Sequence, residues 1–120
     1  MLAAGVDIIE ISRIARVVQR YDQRFLRKVY TPAEIAFCRG RVPELAVRFA
    51  AKEAISKALG TGIFCISWTE MEVLSDHRGK PEVELHGRAL ARAQELGLTE
   101  WAISLSHSDG NAIAFCVASS

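Results

Sequence analysis

Trp101–Ala118 reads WAISLSHSDGNAIAFCVA, and this stretch decides how the chain folds. Trp101–His107 and Ala112–Ala118 are strand-like runs, and Asp109-Gly110-Asn111 between them is hairpin chemistry. A link that short joins antiparallel neighbours, because a parallel crossover needs a dozen residues or more. Toward the N-terminus, Gly87–Leu96 is an amphipathic helix closed by Gly97, and Trp68–Leu74 and Pro81–Leu85 are strands joined by the turn-rich Ser75–Lys80. Pro43 opens the longest helical segment, which runs to Leu59 and stops at Gly60, with Val47, Ala51, Ala54, Ile55 and Ala58 as its apolar stripe. Thr31-Pro32-Ala33-Glu34 combines an N-cap, a proline at the first helical position and a carboxylate three residues after the cap, starting a short helix that ends near Gly40. Ile14, Val17, Val18, Tyr21 and Phe25 recur at helical spacing behind Ser12 as N-cap, with Asp22 placed to interrupt and restart the helix. Gly5–Ile11 is β-branched and apolar, a buried strand. The order predicts an α+β fold: one compact domain over residues 1–120, a mostly antiparallel sheet packed against a long central helix.

Bulk properties narrow the class. Half of the residues are hydrophobic and 24% are charged, which is ordinary globular usage. The longest clean apolar run, Ala112–Ala118, is far short of the roughly 20 residues that span a bilayer. Asp7 and Glu10 interrupt the apolar start, so it does not read as a signal peptide, and a cytoplasmic location is expected. A formal net charge of +1 argues against a nucleic-acid partner. Cys38, Cys65 and Cys116 are odd in number and set in apolar company, so they are expected to be reduced thiols filling the core.

Four features carry chemistry. Asp7 sits inside Val6-Asp7-Ile8-Ile9, where a bare buried carboxylate is costly unless paired or metal-bound. An aspartate bonded to a nearby turn accounts for it as readily as a metal ligand. In Phe49–Lys57, Phe49, Glu53 and Lys57 share a helix face about opposite the apolar stripe. Glu followed by Lys four residues on is an ordinary helix pair, but Gly60-Thr61-Gly62 follows directly, and Arg48 and Lys52 add positive charge. An acid beside cations suits Mg²⁺, which takes one or two carboxylates plus phosphate oxygens. His107 ends a strand on the side of Leu105, a capping or core position by default; His77 and His86 read as surface, and no histidine pair has zinc spacing. Arg13, Arg16, Arg20, Arg24 and Arg27 line one side of a helix beside Val17, Tyr21 and Phe25, which is either a solvated face or a dock for an acidic partner.

Gly5-Val6-Asp7, then Arg48–Ile63 (RFAAKEAISKALGTGI), Gly79-Lys80-Pro81 and Ser104-Leu105-Ser106-His107, occurring in that order, resemble the small holo-acyl-carrier-protein synthase family of phosphopantetheinyl transferases. The resemblance spans nearly the whole chain. It implies the 4′-phosphopantetheinyl transferase fold and transfer of phosphopantetheine from coenzyme A to a serine of an acyl carrier protein, in support of fatty acid biosynthesis. It implies Asp7 and Glu53 as Mg²⁺ ligands and Lys57 as the cation beside the phosphates, these three forming the catalytic group. Arg48, Lys57, Gly60, Thr61, Gly62, Lys80, Pro81 and His107 are implied to seat coenzyme A, partly across a subunit boundary in a homotrimer. Arg13, Arg24 and Lys28 match positions that grip the acidic helix of the carrier, with Val17, Tyr21 and Phe25 adding apolar contact. Phe64-Cys65-Ile66 departs from the family's glycine or polar residues. The proton of the attacking serine goes to Glu53 or to a metal-bound water, which the residues leave open. Two rival readings use the same features: a non-catalytic coenzyme A module, and a basic-helix protein that binds RNA.

Overall fold

The computed structural model describes residues 1–120. Strand β1 (Leu2–Glu10) leads into three short helices, α1 (Ile11–Tyr21), α2 (Gln23–Val29) and α3 (Pro32–Cys38), and then the long helix α4 (Val42–Ala58). After two 3₁₀ turns come β2 (Met71–Ser75), β3 (Pro81–Leu85), α5 (Gly87–Leu96), β4 (Glu100–Ser108) and β5 (Asn111–Ser119). The pairing is antiparallel throughout, in two sheets: a three-stranded sheet in the order β1-β5-β4 and a two-stranded sheet of β2 and β3. The 101–118 hairpin forms as expected, with His107 opposite Ala112.

Local chemistry explains most boundaries. Thr31 and Glu34 make the reciprocal capping box at the start of α3. Asp22, at φ 45°, breaks the N-terminal helical segment into α1 and α2. Ser12 is not the cap of α1: the helix starts at Ile11, whose N–H donates to the Gly110 carbonyl at 2.8 Å. The tip of the β4–β5 hairpin thus satisfies a free donor of α1. Trp68–Glu70 is a 3₁₀ turn and β2 begins only at Met71, because Ser67 and Glu70 form a second capping box.

Helix α4 is the centre of the molecule. Leu45, Val47, Ala51, Ala54, Ile55 and Ala58 are buried against β1, β5 and β2, while Phe49 and Glu53 are half-buried and Lys57 is exposed. The inner face of the large sheet, Gly5, Ile9, Ala112, Ala114, Cys116 and Ala118, is small and packs closely on α4. Gly5 is required there: a Cβ would overlap the Ala54 carbonyl oxygen and stand 3.2 Å from the Ala58 nitrogen. The first strand was expected to be buried, but only one face is. Val6 and Ile8, paired with Phe115 and Ile113, point outward and are 40–63% exposed. Cys38 and Cys116 are buried as expected, whereas Cys65 is exposed in the first 3₁₀ turn.

Candidate active site

The close approach at Gly5 delivers Asp7, two residues along the same face of β1, to the exposed flank of α4. Lys57 Nζ donates to Asp7 Oδ1 at 3.2 Å and to the Val6 carbonyl at 2.9 Å, which leaves one N–H of the ammonium uncommitted. Glu53 lies one turn before Lys57. Burial and then the Asp7 charge push its carboxyl above the ordinary carboxylate range, with Lys57 and Arg13 pulling the other way. Lys57 and Asp7 therefore form an ion pair although 50 positions separate them in the 120-residue chain, and the charges of both act on Glu53.

The donors suit a hard divalent cation. Both acids offer oxygen, both are partly buried, and the Asp7 charge acts on Glu53. Gly60-Thr61-Gly62 follows the C-terminus of α4, with both glycines at positive φ. That is the partially negative end of a helix, so any affinity of this corner for phosphate comes from Lys57 rather than from the helix dipole.

Arg48, Pro81 and His107 meet elsewhere, in a cavity of about 230 Å³ that Ser75, Gly79 and Ser106 also line. The Arg48 guanidinium is 1% exposed; it lies over the Phe37 ring at 4.4 Å and donates to Glu44 at 3.0 Å, to the Val73 carbonyl and to Ser75 Oγ at 3.1 Å. Lys80 lies with Pro81 on an adjoining cavity of about 350 Å³. A third surface gathers Val17, Tyr21, Arg24, Phe25 and Lys28 around a groove of about 310 Å³. Arg13, expected with that group, lies outside this groove's lining, and its charge also acts on Glu53.

Two features differ from the sequence reading. Lys52, grouped there with the phosphate cations, is wholly buried, and its ammonium bonds Glu34 at 2.8 Å and the Trp68 and Met71 carbonyls. Periodicity predicts which face a residue occupies but not whether a partner carboxylate waits inside. The other is Glu72, Glu84 and His86, whose potential ligand atoms lie within 4.8 Å of one another. Glu72 faces Glu84 across the β2–β3 pair, a register that no local motif reveals. Both Glu72 oxygens are already engaged, by Thr31 Oγ1 at 2.6 Å and His86 Nε2 at 3.2 Å. Against the upward push of burial, those bonds hold its carboxyl below the ordinary range.

Comparison with known proteins identifies the family. The family model described as the 4′-phosphopantetheinyl transferase superfamily matches residues 3–116. A holo-[acyl-carrier-protein] synthase of Herpetosiphon aurantiacus is 51% identical, with 98% of each chain covered. One from Moorella thermoacetica is 48% identical over 100% of this chain and 95% of its own. Among solved structures, the Helicobacter pylori holo-[acyl-carrier-protein] synthase in complex with coenzyme A superposes with a TM-score of 0.89 at 32% identity, covering 97% of this chain and 99% of that one. The Neisseria meningitidis enzyme gives 0.87 at 36% identity, with 98% of both chains covered. With the match running almost end to end, this chain belongs to the 4′-phosphopantetheinyl transferase superfamily.

Proposed function

We propose that the protein is a holo-[acyl-carrier-protein] synthase that moves the 4′-phosphopantetheine arm of coenzyme A onto a serine of an apo acyl carrier protein, in support of fatty acid biosynthesis. The observation that supports this is the Lys57–Asp7 ion pair at the β1–α4 crossing, with Glu53 one helical turn before Lys57 and under the charge of both. The serine oxygen forms a bond to the β-phosphorus of coenzyme A. The bond from that phosphorus to the bridging oxygen breaks, and adenosine 3′,5′-bisphosphate leaves with the bridging oxygen. Asp7 and Glu53 would hold Mg²⁺, which when bound neutralises charge on the diphosphate oxygens. Lys57, held by the Val6 carbonyl and Asp7, would use its free N–H to stabilise charge on those oxygens. The serine proton would go to Glu53 or to a water on the cation that Asp7 and Glu53 would hold.

The remaining expectations fit the same reading. Arg48, Lys80, Pro81 and His107 seat the nucleotide half, and Gly60, Thr61 and Gly62 border the phosphates. The hollow beside Lys57 and Val6 and the Arg48–His107 cavity have no lining residue in common, and the outer face with Val6, Ile8, Ile113 and Phe115 is uncovered. Both facts support a homotrimer in which one subunit's corner meets another's cavity. The groove between Arg24 and Lys28, floored by Val17, Tyr21 and Phe25, suits an acidic amphipathic helix of the carrier. No helix is long and apolar enough to cross a membrane. A cytoplasmic location is supported by the two unpaired thiols in the core.

The test is the intact mass of an apo-carrier mixed with the protein, coenzyme A and Mg²⁺. The expected result is a gain of one phosphopantetheine arm that a chelator stops and added Mg²⁺ restores. A carrier of unchanged mass, beside a protein that binds coenzyme A, would make this a non-catalytic module.

A further inference from the structure

Strand β2 has a strand neighbour on one side only. The backbone groups of Met71 and Val73 on its other side are met by side chains. Lys52 Nζ donates to the Met71 carbonyl at 2.7 Å, and Arg48 Nε donates to the Val73 carbonyl at 3.1 Å. The Val73 N–H donates to Glu34 Oε2 at 2.8 Å. The spacings match: residues four apart on a helix rise about 6 Å, and residues two apart on a strand about 6.7 Å. The earlier helix residue meets the later strand residue, so α4 and β2 run in opposite directions. A helix stands where a strand would, tied to the edge by two cationic rungs.

Lys52 is 0% exposed and uses its three N–H donors on Glu34 Oε1 at 2.8 Å, the Trp68 carbonyl at 3.0 Å and the Met71 carbonyl. Glu34, also 0% exposed, accepts from the Thr31 N–H as well, at 2.9 Å. No buried side-chain nitrogen or oxygen lacks a partner. Stability alone does not call for such a pair, since apolar side chains of similar volume often replace one without loss. What three fixed acceptors add is a single setting of the helix. Glu53 is the next residue, and side-chain ends stand about 5–6 Å from a helix axis, so a rotation of about 10° moves its carboxylate about 1 Å. Mg²⁺ demands near-ideal octahedral geometry, and a displacement on the order of 1 Å can cost about 100-fold in rate.

We propose that Lys52, with Glu34 as counter-ion, is a positioning residue that sets the rotation of α4 and thereby the aim of Glu53 and Lys57. The proposal rests on the transfer reaction above, because it takes Glu53 to be a metal ligand. Lys52 itself, enclosed on all sides, contacts neither metal nor substrate. The test compares the parent with Lys52→Met and with Glu34→Gln/Lys52→Met, which leaves no charge at either buried position. Thermal melting shows which variants fold. Mn²⁺ binding followed by electron paramagnetic resonance, kcat, and KM for coenzyme A are then measured on the folded protein. The expected result is Mn²⁺ affinity lower by about 10-fold or more and kcat lower by about 30- to 100-fold, with KM changed less than about threefold. A folded variant that keeps Mn²⁺ affinity and kcat within about threefold of the parent overturns the proposal. Failure of both variants to fold also overturns it, by assigning the network to stability alone. A parent that binds Mn²⁺ but transfers nothing counts against the reaction instead, and the Mn²⁺ comparison still decides the role of Lys52.

Discussion

Replacing Gly5 by alanine adds one methyl at the tightest point of the structure. The new Cβ would overlap the Ala54 carbonyl oxygen and stand 2.8 Å from its carbon. Ordinary carbon contacts begin near about 3.5 Å, so strand and helix must part by something on the order of 1 Å. Neither side yields locally, because Ala54 lies inside α4 and β1 is hydrogen-bonded along its length to β5. Overpacking costs about 1–3 kcal/mol, and a backbone-on-backbone clash belongs at the upper end. About 3 kcal/mol in a chain of this size lowers Tm by roughly 10–15 °C. The same parting carries Asp7 away from Glu53 and Lys57, for a loss of turnover of about 100-fold. Calorimetry gives the first quantity, and carrier modification well below the lowered Tm gives the second. A Gly5→Ala protein with Tm within about 2 °C and turnover within about threefold of the parent would refute the reasoning.

Other perturbations test separate parts of the account. The folded Glu53 carboxyl, raised by burial and by Asp7, keeps a proton that the unfolded chain has released. Its contribution to stability is therefore present in acid and lost as pH climbs from the ordinary carboxylate range through the raised value. Glu53→Gln should flatten that segment of the metal-free curve of unfolding free energy against pH, measured by denaturant melts between about pH 4 and 7; an unaltered curve would count against it. Burial lifts the Cys38 and Cys116 thiols to about 11, while Cys65 is exposed, so a maleimide at neutral pH should add to Cys65 alone in the native protein. Mass mapping that finds rapid labelling of Cys38 or Cys116 would contradict the core. Arg24→Glu and Lys28→Glu should each raise KM for the carrier about 10-fold and leave KM for coenzyme A alone, a split visible in steady-state kinetics; equal effects on both would remove the groove from carrier binding.

What was legible in the sequence depended on range. The 101–118 hairpin, β3, α5 and the Thr31 capping box rest on neighbours within a few residues, and they formed where turn chemistry and periodicity put them. The joining of β1 to β5 spans the whole chain and has no local signature, so neither the split into two sheets nor the open outer face could be read ahead. Of the site, a carboxylate in an apolar strand and an acid and a cation on one helix face single out Asp7, Glu53 and Lys57, the family resemblance joins them, and the Lys57–Asp7 ion pair forms. Lys52 carried the same charge in the same motif. Only the Glu34 carboxylate buried beneath it separates a structural ammonium from one that faces phosphate.

Carrier modification by Asp7→Asn and Glu53→Gln, each shown to be folded, bears most directly on the claim that these two side chains share one cation. With coenzyme A and Mg²⁺ in excess, the parent should convert the apo-carrier to its heavier form, and neither variant should do so measurably. If either folded variant modifies the carrier at close to the parental rate, the shared cation is not where the reaction takes place.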